Sequence, residues 1–115
     1  GTVSGKNVEL EGKNNLTINE NAQVTATEGD ATLAGKNISN SGTVTASNDV
    51  VVTATEKFTN TATGNLTGKN NVTVTAENAD VAGTVTAESG KANVVAQDTA
   101  TITGTVSSKN VELEG

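Results

Sequence analysis

Acidic side chains stand two apart at Glu9/Glu11 and again at Glu112/Glu114, the kind of pair from which a glycoside hydrolase or polysaccharide lyase draws its acid and its base. In an extended chain that spacing puts both members on one wetted face. The corresponding positions between them are Thr32/Ala34, Val51/Thr53, Thr73/Thr75 and Asn93/Val95, so no acidic cluster is sustained. There is no His, Arg or Tyr to act as general base or anion clamp. Gly1 to Lys6 and Ser89-Gly90-Lys91 echo a phosphate-binding loop, but Asn7 and Ala92 follow the lysines where Ser or Thr is needed. No helix follows to lend its dipole, so these are solvated turn lysines. Glu28-Gly29-Asp30 falls well short of the roughly six to eight oxygens that calcium takes. The expectation is a chain with no catalytic, cofactor-binding or metal-ligating residue, and not an enzyme.

Composition narrows the field further. The 115 residues carry 7 Lys and 13 acidic groups, a net charge of -6, which argues against a surface for nucleic-acid phosphates. Phe58 is the one aromatic, so bases have no stacking platform. Without Cys there is neither a disulfide framework nor a thiolate metal site, and without His most zinc chemistry is lost. No apolar run approaches the roughly 18 residues of a membrane span. A start at Gly1, with neither Met nor a signal-peptide pattern, reads as a piece of something longer.

The apolar residues are few, 33% of the chain, but ordered. Gly-Thr-Val recurs at Gly1, Gly42, Gly83 and Gly104, at intervals of 41, 41 and 21 residues, two periods, two periods and one period of about 20.5. Degenerate copies fill the gaps at Ala22 and Gly64, and segments 1–12 and 104–115 nearly coincide. Three alternating stretches align within each turn. The first carries Val3, Val24, Val44, Leu66, Val85 and Val106. The second carries Val8/Leu10, Ala31/Leu33, Val50/Val52, Val72/Val74, Ala92/Val94 and Val111/Leu113. The third carries Leu16/Ile18, Ile38/Asn40, Phe58/Asn60, Ala79/Val81 and Ala100/Ile102. Spacing by two is the strand period, and the Thr and Val that dominate are strand formers. No helical period competes.

A turn of about 20 residues holding three short strands leaves too little chain for hairpins in the same order each time. The chain can instead wind around an axis, each strand pairing in parallel with its equivalent one turn away. The expected fold is therefore all-β, a parallel β-helix or β-solenoid. It has three short strands per coil and about five and a half coils of 19–22 residues, with residues 1–115 as one segment. The inward aliphatics named above form its core. Corner positions fall to Asn7, Asp30, Asp49, Asn71 and Asn110 before the second strand, and to Asn15, Asn37 and Asn78 before the third. Asn and Asp suit corners because they tolerate left-handed backbone and bond their own turn. Stacked Asn can also bond amide to amide along the axis. Gly5, Gly12, Gly35, Gly68 and Gly90 fall at corners as well. Sequons at Asn15, Asn37, Asn65 and Asn71 arise from the polar–aliphatic–Thr alternation itself.

One surface pattern stands apart. The first strand flanks its inward aliphatic with Thr2/Ser4, Gln23/Thr25, Thr43/Thr45, Asn65/Thr67, Thr84/Thr86 and Thr105/Ser107. Two columns of hydroxyls on a flat sheet make Thr43, Thr45, Thr84 and Thr86 candidate surface residues.

The stretch from Ile38, ISNSGTVTASNDVVVTATEKFTNTATGNLTGKNNVTVTA, resembles the repeats of filamentous haemagglutinin-type exoproteins. Their pattern is roughly aliphatic-x-Asn-x-Gly-x-aliphatic-x-Ala, closing on alternating aliphatics and a further Ala. Ile38, Asn40, Gly42, Val44, Ala46, Val50, Val52 and Ala54 match it. In the next copy Phe58 and Asn60 fit, Ala62 departs from the Gly, and two extra residues precede Leu66. The resemblance implies right-handed winding and a shaft segment of a large Gram-negative surface protein exported by two-partner secretion. Such proteins are adhesins or the stalks of contact-dependent inhibition toxins. The implied role is a spacer holding a distal tip off the cell, outside the outer membrane. Alternatives are a binding surface on the first strand, for host adhesion or ice, and a self-assembling filament unit. No nucleic acid and no membrane insertion are expected, whereas axial stacking on further coils or like copies is, and a host-surface ligand is a possible partner. This segment departs from the family in having no recognition insertion at any corner.

Overall fold

A computed structural model describes residues 1–114, with the backbone alone at Val111, Glu112 and Glu114. The strands are β1 (Thr2–Gly5), β2 (Val8–Glu11), β3 (Asn15–Ile18), β4 (Gln23–Ala26), β5 (Ala31–Asn40) and β6 (Thr43–Ala46). They continue with β7 (Asp49–Asn60), β8 (Asn65–Gly68), β9 (Asn71–Val81), β10 (Thr84–Ile102) and β11 (Thr105–Glu114). Every pairing among them is parallel.

The register makes the fold a β-solenoid. On the first face Val3 lies under Val24, then Val44, Leu66, Val85 and Val106, so successive coils advance by 21, 20, 22, 19 and 21 residues. The second face stacks Leu10, Leu33, Val52, Val74, Val94 and Leu113. The third stacks Leu16, Ile38, Phe58, Ala79 and Ala100. The uneven lengths are absorbed at corners. Register shifts fall between Gly35 and Asn37, Thr53 and Lys57, and Ala96 and Thr99, all where the second face turns into the third. A fourth, between Ala87 and Lys91, lies where the first turns into the second. First-face pairings themselves contain no shift.

Separate short strands are found only in part. From the second coil onward one strand runs from the second face into the third across the shifted corner, giving β5, β7 and β9 of 10, 12 and 11 residues. β10, at 19 residues, passes through two corners. Pairing resumes with the same neighbouring coil after only one to three residues at each bend, which leaves few backbone groups unpaired.

Packing inside follows the alternation. Val8, Ile18, Val24, Leu33, Ile38, Val44, Val50, Val52, Phe58, Leu66, Val72, Val74, Val81, Val85 and Val94 are buried. Leu10, Leu16, Ile102 and Val106 are only partly buried against that cluster. Two expected core residues are exposed: Val3 at 43% and Leu113 at 49%. Both point inward by register, but they sit on terminal coils covered from one side only. Val111 was also expected in the core, and its side chain lies outside the described residues. Alanines supply interior that aliphatic spacing alone does not single out. Ala26, Ala46 and Ala87 line the inside of one corner, and Ala54, Ala76 and Ala96 line the next. Small side chains are what a sharp bend leaves room for.

Candidate functional site

Polar groups are organised in columns along the axis, and the corner into the second face is the best bonded. Asn7 Oδ1 accepts the backbone N–H of Asp30 at 3.0 Å, Asp30 Oδ1 accepts that of Asp49 at 3.1 Å, and Asp49 Oδ1 that of Asn71 at 3.0 Å. Asn71 Oδ1 then accepts from Lys91 N–H at 2.9 Å. Each side chain thus satisfies a donor one coil on, where strand pairing lapses at the bend. Asp30 also takes the Asn48 amide at 2.8 Å, and Asp49 the Asn71 amide at 3.1 Å. Outside them, the Asn70 amide donates to Asn48 Oδ1.

Bonding along the axis is as expected of stacked corner Asn; the left-handed backbone expected of the same residues is not found. Among the described residues the one non-glycine with positive φ is Asn21, at 70°, and no glycine has positive φ. Corner Asn and Asp therefore act as acceptors between coils and not as left-handed turn formers. Nor do the glycines work through left-handed backbone; space is what they supply. A Cβ on Gly104 would lie 2.0 Å from the Gly83 carbonyl oxygen, and one on Gly83 would lie 2.2 Å from that of Thr61. The corner into the third face is looser. Asn37 donates to Asn15 at 3.4 Å, and the Asn78 side chain makes no hydrogen bond among the described residues. The Asn110 carbonyl accepts from the Ser108 hydroxyl.

A second amide pair lies in the core at the return to the first face. Asn40 and Asn60 are wholly buried. Asn40 Nδ2 donates to Asn60 Oδ1 at 3.0 Å while Asn40 Oδ1 accepts from Gly42 N–H at 3.1 Å. Asn60 Nδ2 reaches the carbonyls of Thr84 at 3.2 Å and Gly64 at 3.4 Å. Both amides are satisfied, which is the condition on which a polar group stays in an apolar interior.

For catalysis the geometry offers little. Glu9 and Glu11 are exposed on the second face beside Thr32 and Ala34; Glu112 and Glu114 have side chains outside the described residues. An open groove of about 670 Å³ follows the corner into the third face, where Glu11 lies near Lys13, Lys36 and two glycines. Solvent-exposed ion pairs join Lys36 to Glu56 at 3.4 Å and Lys6 to Glu28 at 4.0 Å. Among the described residues no three His, Cys, Asp or Glu gather as metal ligands, and no helix is long and apolar enough to cross a membrane.

The first face gathers its candidates as a lattice. Thr43 aligns with Asn65 and Thr84, and Thr45 with Thr67 and Thr86. Counted over six coils, the second outward column reads Ser4, Thr25, Thr45, Thr67, Thr86, Ser107. No outward position on this face is charged.

Comparison with known families matches the one described as "Hemagglutinin repeat" over residues 2–115. No curated protein and no solved structure matches the chain.

Proposed function

The chain belongs to the hemagglutinin-repeat family, and from that premise we propose that residues 1–115 are one structural segment in the shaft of a large secreted bacterial surface protein of adhesin type. The segment holds a distal tip away from the cell, on the outer side of a Gram-negative outer membrane. The observation that carries this reading is the stacking of all three faces in parallel register, an arrangement that extends by adding coils and stiffens along its axis. The short corners support it too, as does the lack, among the described residues, of a clustered set of metal-ligating groups.

Removing whole coils from the parent protein tests it. The reach of the tip is expected to shorten by about 4.8 Å per coil removed, with binding of a soluble target unchanged. Loss of soluble-target binding on removal of these coils alone would instead place recognition in the segment.

A further inference from the structure

We propose that the first face is a lateral interface on which a second copy of this chain lies, the two solenoid axes parallel. This inference rests on the fold and goes beyond the spacer reading.

The first argument is charge. The chain carries 20 charged side chains for a net of -6, and none of them projects from the first face. The edge toward the second face is rimmed by exposed Lys6, Glu28, Lys69, Glu88 and Lys109, with Asp30, Asp49 and exposed Lys91 further round the same corner. The opposite edge, at the return from the third face, carries only Glu20. Two like-charged copies meet least repulsion on this face. Which way round they meet is also decided by the rim. Antiparallel axes in full register would set Lys6 against Lys109 and Glu28 against Glu88, like on like. A two-fold parallel to the solenoid axis sets each charged rim against the other copy's nearly uncharged edge. In that arrangement Thr43 of one copy opposes Thr45 of the other, and Thr84 opposes Thr86.

The second argument is periodicity. Register shifts are confined to corners, and every pairing on this face is unbroken over six coils, so its side chains repeat at the spacing of stacked strands, about 4.8 Å. A rigid array with that repeat is matched point for point by another face of the same kind, as in interdigitated sheet pairs. Size then sets the strength. Four residues across and six coils along give roughly 400 Å² per copy, half the roughly 800 Å² that stable complexes bury per partner. Pairing of this chain is weak and reversible, and strengthens as more coils align.

The chain has no cysteine, so single thiols report proximity cleanly. Thr43→Cys and Thr45→Cys proteins are mixed and oxidised, with Thr59→Cys and Thr73→Cys, similarly half-buried on the other two faces, as controls. The expected result is intermolecular disulfide forming about tenfold faster on the first face, with the mixed 43–45 species in excess over like pairs. Concentrated samples of the unmodified chain associate in sedimentation equilibrium, and Thr45→Lys/Thr86→Lys abolishes it. Cross-linking no faster than in the controls overturns the proposal. So does association that survives the lysines, which would mark end-to-end stacking. Thermal hysteresis from a chain that stays monomeric would assign the face to ordered water and overturn it equally.

Discussion

Two asparagines in the same chain have opposite energetic weight, and their surroundings decide it. Asn60 is enclosed, and its amide joins two coils through Asn40 and the Thr84 carbonyl. Asn60→Ala leaves buried polar groups without a partner, so a loss of about 1–3 kcal/mol is expected in urea unfolding. Asn15 is exposed and its bond to Asn37 is long; Asn15→Ala is expected to change stability by no more than about 0.5 kcal/mol. Equal losses would mean that the buried amides are not holding the coils in register. The inward placement of Asn60 was legible, because it stands two after Phe58 as Val81 stands two after Ala79. Its individual bonds were not. Spacing aligns Asn40 with Asn60 and Asp30 with Asp49 one turn apart, as the register has them, but it does not say which atom of each meets which.

At the level of strands and corners, the coil from Val44 to Leu66 is instructive. Its return to the first face runs Asn60-Thr61-Ala62-Thr63-Gly64, where the coil below has only Asn40-Ser41-Gly42. Ala62 and Thr63 are exposed, and the added bonds go from Thr61 to the Ser41 hydroxyl at 2.9 Å and from Thr63 to its carbonyl at 2.8 Å. Deleting Ala62 and Thr63 together removes length where the solenoid tolerates variation. The fold is expected to persist by circular dichroism, with a stability change of about 1 kcal/mol or less. Unfolding on deletion would show that the extra turn sets the stacking above it. The three faces were readable from the two-residue alternation. What alternation did not disclose is that one strand runs across the corner from the second face into the third, since pairing that resumes so soon after a bend leaves no mark on side-chain pattern.

For the molecule as a whole, each coil touches only its neighbours, so protection should be graded along the axis. Backbone amides around Val44, Val52 and Val72 are expected to exchange slowest, and those of β1, β3 and β11 fastest, in native-state hydrogen exchange. Uniform protection would indicate a single cooperative unit. Exposure of Val3 and Leu113 fits the graded picture: both carry the inward pattern of their equivalents, and their place on the first and last coils leaves them uncovered. The ladder bonds also have a mechanical meaning. They run along the axis, one layer to the next, so a pull on the two termini strains the outermost layer before any other. When it yields, about 20 residues come free and pay out roughly 70 Å of slack. A stack of such coils would lengthen under tension in repeated steps, each dissipating work before the next layer yields.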